Sequence, residues 1–449
     1  MLKQRIIQIT ALGISFSGYI WMGYFTERTE FSQIISLYSV LFALYIFLLY
    51  KNRSGDSWKI AIGGAILLRL SLLLMTPNLS DDYYRFIWDG LLTLNGVNPY
   101  LLTPTELINS QLALPGVSSE LFQHLNSSGY LSAYPPVSQF IFWLSAKMAG
   151  TSAIGNIIML RVVILLAEFG TLTLLYRLAT RFKLPPRTIL IYALNPLVII
   201  ELTGNLHFEA VMIFFLLLAV YLLINEKLLF SAISIGLAIG IKLIPLIFLP
   251  LLIKRLGISR SLRYYLVTGA TVILLFIPFL NGEAISNYFS SLSLYFRVFE
   301  FNASVYYLIR WIYFQTFSDT LINVTQALLP VVTLLAVIVI SLRQKLDSQQ
   351  SILLNMLFCL TVYFIFTNNV HPWNLTMLLM LSVFTSYRFM VLWSWGVVLT
   401  YSAYQTFPYL ENLWLVAIEY FLTLGWMTGE IIHHHTQKNS INKGNRFTV

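Results

Sequence analysis

The sequence predicts an all-α bundle of membrane-spanning helices, with about twelve crossings, one re-entrant hairpin and one long outer loop carrying interfacial helices. Three observations predict it. Of 449 residues, 57% are hydrophobic and only 10% charged, and the mean hydropathy of +0.74 lies well outside the soluble range. Apolar runs recur along the whole chain, most near the roughly 20 helical residues that about 30 Å of hydrocarbon demands. Lysines and arginines cluster between alternate runs, as they do in the cytoplasmic loops of polytopic proteins.

The first runs fall at residues 6 to 25, 34 to 50 and 58 to 75, followed by a polar loop from 76 to 135. Residues 136 to 150 are short for a crossing and read as an interfacial or re-entrant helix. Runs at 154 to 176, 188 to 204 and 208 to 224 come next. The stretch from 228 to 253 is interrupted by Lys242 and Pro245 and reads as a hairpin that enters and leaves by one face. The last runs are 264 to 280, 319 to 341, 350 to 366, 373 to 387, 389 to 407 and 413 to 432. Residues 1–432 then form a single membrane domain, and the polar, basic segment 433–449 a cytoplasmic tail.

Orientation follows from charge. With Lys3 and Arg5 inside, the clusters Arg177, Arg181, Lys183, Arg187 and Lys254, Arg255, Arg260, Arg263 also lie inside, and only Arg28, Arg85 and Arg297 fall in outer loops. The loop 76–135, with Asp81, Asp82, Asp89, Glu106 and Glu120, therefore faces the periplasm or exterior. The net charge of +9 is a topology signal. No basic, aromatic-interleaved groove stands outside the membrane, so nucleic acid is not an expected partner. The N-terminal run lacks a clear cleavage site and reads as a span. The single cysteine, Cys359, excludes an intrachain disulfide and a cysteine-based metal cluster.

Acids beside a membrane face are candidates for chemistry. In DDYYRFIWDG, residues 81–90, a helix would put Asp82, Arg85 and Asp89 on one face, where Arg85 can pair with either acid, and turn Asp81 elsewhere. Tyr83, Tyr84, Phe86, Ile87 and Trp88 suit a helix lying in the interface, and a purely amphipathic role is the bland alternative. Two adjacent like charges in Asp81 and Asp82 argue against it. GVNPY, residues 96–100, closes the helix. Tyr134, Pro135 and Pro136 return the loop to the membrane, where Tyr134 can close over an interfacial site.

Further in, Glu201, Gly204, Asn205, His207 and Glu209 cluster at one outer end, with mutual satisfaction of Glu201 and Asn205 as the structural alternative. Lys242 lies at the apex of the interrupted stretch, far from the inner cationic clusters, and should face an anion or snorkel to outer headgroups. Asn368, Asn369, His371, Pro372 and Trp373 open a run at its outer end, where a helix N-terminus favours phosphate or His371 simply caps. Arg161 and Glu168, two turns apart in one run, read as a buried pair.

Apart from Arg161 and Glu168, these clusters open on the outer face, and together they resemble the GT-C superfamily of polytopic glycosyltransferases. More narrowly, DDYYRFIWDG with GVNPY, then AYPPV, NPLVIIELTGNLHFEA, GLAIGIKLIPLIFLPLL and NNVHPWNL resemble bacterial polyprenol-phosphate-mannose-dependent mannosyltransferases, over about residues 58 to 385. One departure is that the acid loop follows a third apolar run, where the family places it after the first; two extra N-terminal spans would account for this.

The resemblance implies a hexosyltransferase of the bacterial inner (plasma) membrane. It would move a sugar, mannose favoured, from a polyprenyl-phosphate donor to a lipid or glycan acceptor by a single inverting displacement. Asp82 is the expected base, with Asp81 the second candidate or a ligand of a metal or the acceptor, and Arg85 the orienting partner. Tyr134, His207 and Glu209 are expected on the sugar or acceptor, Lys242 and His371 on the donor phosphate, and Trp88 and Asp89 elsewhere on the substrate. No cofactor is implied; a divalent cation is compatible with the chemistry, but no ligand spacing indicates one. The alternative from another class is a transporter or flippase of lipid-linked sugars, which would carry polar residues on through the cytoplasmic half and often shows internal repeats that this chain lacks.

Overall fold

The computed structural model describes residues 2–52, 57–110, 112–316 and 322–444. Among these residues the chain is helical without strands, its only β-bridge joining Phe301 to Asn369. Among the described residues five helices are long and apolar enough to cross a bilayer: Leu2–Phe25, Phe31–Lys51, Ala153–Arg181, Ile258–Phe279 and Leu413–Gln437. The apolar run from 319 starts within residues that lie outside the described ones, and its described part is the helix Ile322–Arg343. The final helix continues to Gly444, so no structural break separates the polar tail at 433, and residues 445–449 lie outside the described chain.

Several runs expected as single spans are broken instead. Pro186–Ala193 and Val198–Gly204 meet at 60°. The cause is legible between them, where Pro196 disfavours helical backbone at Asn195 and the Asn195 side chain accepts from the Leu197 N–H at 2.9 Å. The run from 373 is a 3-10 turn, Pro372–Leu375, followed by the seven-residue helix Thr376–Ser382. Freed carbonyls must find donors in an apolar interior. Tyr45 donates to the Ile191 carbonyl at 2.9 Å, before the first of these breaks, and Tyr38 to that of Ser394 in the helix Phe389–Gly396, just before it passes into the 3-10 stretch Val397–Gln405.

The interior charges correct one expectation. Arg161 does not pair with Glu168. Glu168 instead accepts from Arg69 at 3.0 Å and from Tyr192, all fully buried. Arg161 donates to four main-chain carbonyls, Leu73 and Met75 after the helix Ser57–Leu70 and Thr203 and Gly204 at the end of Val198–Gly204. Helix C-termini carry partial negative charge, so two chain ends serve as the counterion that spacing assigned to an acid.

The loop 76–135 holds the helices Asp82–Leu94, Pro104–Asn109 and Ser119–Gln123 and returns through the helix Pro136–Ala149. Asp82–Leu94 lies directly on Pro136–Ala149. At the crossing a side chain on Gly90 would stand 2.4 Å from the Phe142 carbonyl, so glycine permits the approach.

Candidate active site

The helix Asp82–Leu94 stops at Asn95, whose N–H returns to Leu91, and the chain turns at Gly96 with φ +75°. Its inner face buries Phe86 against Tyr134, Phe142 and Phe208. Asp89, fully buried, accepts from Arg85 at 2.7 Å, from Gln139 at 2.9 Å and from Ser132. Arg85 donates onward to the carbonyls of Ser127 and Tyr130. Of the two acids open to Arg85, then, Asp89 takes it, and the pair fastens the returning limb of the loop. Trp88 is buried with Leu92, Leu107 and Leu125 in a small core of its own. Trp88 and Asp89, expected on the substrate, stand behind the wall of the cavity and not on it.

Asp81 and Asp82 diverge. Asp81 pairs with Arg28, brought in from the turn between the first two helices. Arg28 also donates to the Tyr409 hydroxyl at 2.9 Å and lies 4.5 Å over the Tyr404 ring. Asp82 is half-buried on the cavity wall and accepts from the neutral Asn126 amide at 3.1 Å. Among the described residues it is the one acid of DDYYRFIWDG without a cation in ion-pair contact. Burial pushes its pKa above the ordinary aspartate value, against the opposing pull of Asn126 and Lys242; Asp81 adds to the rise.

Lys242 sits where the helix Leu228–Ile239 gives way, before the 3-10 turn Ile244–Phe248 that contains Pro245. The break is closed by the neighbouring helix Pro136–Ala149, whose Val137 N–H donates to Gly240 at 2.9 Å and whose Ser138 hydroxyl donates to Ile241 at 3.1 Å. The Lys242 side chain is 26% exposed, on the cavity wall, and its ammonium pairs with the fully buried Glu209. Glu209 opens the helix Glu209–Ile224, where the N-terminal dipole also favours its charge. The resemblance places it on the sugar or acceptor; its position makes it the counterion of Lys242.

A ladder of rings continues the wall. His207 stacks on Trp373 at 3.7 Å, Trp373 on His371 at 4.3 Å, and His371 on Phe301 at 4.6 Å. His207, at the buried end, also lies 3.4 Å from Glu201, which accepts from Asn205 at 3.0 Å and Tyr401 at 2.7 Å. Glu201 and Asn205 do pair, but the Asn205 Oδ1 is buried without a partner among the described residues. His371 reaches the cavity from a short 3-10 turn and makes no capping hydrogen bond, so the capping alternative does not hold. Burial, with Lys242 nearby, lowers its pKa to about 3 and takes that of His207 well below the ordinary value. Both imidazoles are neutral at pH 7, so His371 can offer a hydrogen bond but no charge. Its Nδ1 is buried without a partner among the described residues.

The cavity these residues line measures about 1240 Å³. Asp82, Arg85, Tyr134, Lys242 and His371 share its wall. Leu243, Ile247, Leu329 and Leu334 give it an apolar flank, and Glu300, Arg310 and Glu411 a second polar one. Sequence reasoning missed Asn126, Glu300, Arg310, Tyr404 and Glu411. The signal available for the charged members was charge itself in an otherwise apolar chain. An acid held without a counterion and a lysine, set in one enclosure open to both apolar and polar ligands, can take a proton from a hydroxyl and stabilise a departing anion.

The model of the family described as "Alpha-(1->6)-mannopyranosyltransferase, N-terminal domain" matches residues 18–256. The Alpha-(1->6)-mannopyranosyltransferase A of Mycobacterium tuberculosis is 26% identical over 237 residues, which cover 50% of this chain and 44% of that protein. The match thus spans less than half of the relative. The matched residues include Asp81, Asp82, His207, Glu209 and Lys242; His371 and the flank of Glu300, Arg310 and Glu411 lie beyond them.

Proposed function

The chain belongs to the alpha-(1->6)-mannopyranosyltransferase family, and on that premise we propose that it is a multi-pass inner-membrane mannosyltransferase working at the outer face, with about twelve crossings and a hairpin at residues 228–253. Mannose passes from a polyprenyl-phosphate donor to a hydroxyl of a lipid or glycan acceptor in one inverting displacement. Asp82 accepts the hydroxyl proton as the acceptor oxygen bonds to the anomeric carbon. The bond from that carbon to the phosphate oxygen breaks, and the phosphate leaves with the electron pair. Lys242 balances its charge and His371 donates a hydrogen bond to it. No second carboxyl need protonate the leaving group, because phosphate departs as a stable anion, unlike the alkoxide of a glycosidase.

The observation that carries this reading is that Asp82 stands without a counterion in the cavity that also receives Lys242. A transporter would carry its polar path onward, whereas the charges deeper in the bundle, Arg69, Glu168 and Arg161, are fully buried and off the cavity wall.

Topology is tested by single cysteines in a Cys359→Ala background. Gly129 and Gly282 have open space where a side chain would project, and Ser259 is exposed. Gly129→Cys and Gly282→Cys are expected to react with an impermeant thiol reagent in intact cells, and Ser259→Cys only after permeabilisation. The reverse pattern would turn the site inward and remove the outer-face reading.

The phosphate role is tested at Lys242. Lys242→Met should raise the donor KM about tenfold or more, since a hydrogen bond to a charged group contributes about 1.5 to 3 kcal/mol, and Lys242→Arg should keep part of the affinity. Glu209→Gln is expected to raise the same KM by a smaller factor, because it loosens the lysine without removing it. Donor titrations of Lys242→Met that superimpose on wild type reject the role.

A further inference from the structure

The second polar flank of the cavity is built from residues 300–310 and from Glu411, two residues before the last helix, Leu413–Gly444. Arg310, in the helix Val305–Thr316, pairs with Glu300, and their side chains remain 30% and 21% exposed. Its guanidinium carbon lies 4.6 Å over the Tyr307 ring. The Tyr307 hydroxyl donates to Glu411, which also accepts from the Asn302 N–H at 2.7 Å. Asn302, with φ +48°, is held again by Glu419 at 3.1 Å and by the Tyr420 hydroxyl, which donates to its carbonyl at 2.7 Å. The flank is therefore rigid, and it still presents two carboxylates, a guanidinium and tyrosine faces to one enclosure.

It is also continuous with the proposed reaction centre. Asp81, next to the base, holds Arg28; Arg28 bonds Tyr409; and Glu411 follows two residues on. An enclosure of about 1240 Å³ exceeds the roughly 300 to 1,000 Å³ of an ordinary small-ligand site, so it has room beyond one sugar phosphate. Carboxylates that accept, a guanidinium that donates as a fork and aromatic faces together match the hydroxyls and C–H faces of a hexose. A phosphate would be repelled, because Glu300 and Glu411 outnumber Arg310.

We propose that Glu300, Arg310, Tyr307 and Glu411 form the acceptor subsite, binding the sugar residue next to the one that receives mannose. The inference rests on the transfer reading above. It makes the flank responsible for how strongly longer acceptors are preferred.

The test uses full-length protein, a polyprenyl-phosphate mannose donor and synthetic alpha-mannosides of one, two and three residues. Wild type is expected to show an acceptor KM at least tenfold lower for the disaccharide than for the monosaccharide. Arg310→Met and Glu300→Gln should abolish that gain, raising the disaccharide KM about tenfold while the donor KM stays within twofold. Tyr307→Phe, which removes one hydroxyl, should reduce the gain less and guards against loss of folding in the charge variants. Unchanged length dependence in all three variants overturns the subsite, and so does a parallel rise of donor and acceptor KM, which marks the flank as structural. Absence of any mannose transfer by wild type would be a failure of the transfer reading itself.

Discussion

Asp82→Asn is expected to lower mannosyl transfer by about a hundredfold or more, the usual scale of a lost general base, while the donor KM changes little. The expectation is specific to Asp82, because its neighbours are already committed. Asp81 is paired with Arg28 and Asp89 with Arg85, so a proton gained on either would break an ion pair. Asp82 has only Asn126 to lose, and burial has raised its proton affinity. The sign in pH follows. The ionised carboxylate is the active form, so kcat should rise with pH through the Asp82 pKa, with its acid limb above the ordinary aspartate value of about 3.9. The residual rate of Asp82→Asn should lack that limb. Asp81→Asn, measured beside it, should lose less and keep the limb. An inactive Asp81→Asn with an active Asp82→Asn would exchange the two roles, and two active variants would make the loop structural.

How much of this is legible in the sequence depends on how far apart the partners stand. Arg85 and Asp89, one helical turn apart, follow from spacing, although spacing alone left Asp82 as an equal partner. Asp82 and Lys242 stand out because an ionised side chain in an apolar chain needs a reason. Their partners do not stand out: Asn126 lies 44 residues from Asp82, Glu209 lies 33 from Lys242, and Arg28 lies 53 from Asp81. Only the fold brings those segments together. The family resemblance holds, since the family model covers the acid loop through the Lys242 break. Hydropathy locates apolar helices well but registers composition and not backbone continuity. The run from 188 therefore looked like one span although Asn195 and Pro196 bend it, and the run from 373 concealed a 3-10 turn. Nothing in the sequence links Glu300, Arg310 and Glu411, because their shared cavity is a tertiary fact.

The largest expected effect on stability is at Arg161, where a spacing rule and the fold disagree. Its guanidinium serves four carbonyls from two chain ends at 2.6 to 3.0 Å, in a fully buried site. Arg161→Met has a similar reach but no donors and would leave all four acceptors unpaired in an apolar interior, where each unsatisfied group costs about 1 to 3 kcal/mol. A net loss on the order of 3 to 5 kcal/mol is expected, read as a lower unfolding midpoint in detergent. Arg161→Lys should recover only part of it, because a compact ammonium cannot span carbonyls that the planar fork reaches together. Double-mutant cycles separate this arrangement from an Arg161 and Glu168 pair. Arg69→Met and Glu168→Gln should be coupled by about 0.5 to 3 kcal/mol, whereas Arg161→Met and Glu168→Gln should add within about 0.5 kcal/mol. Coupling at Arg161 and additivity at Arg69 would restore the local pair and leave the ends of Ser57–Leu70 and Val198–Gly204 without their donor. Those two ends flank the acid loop and the His207 segment, so the outcome also decides whether one buried arginine ties the two halves of the proposed site together.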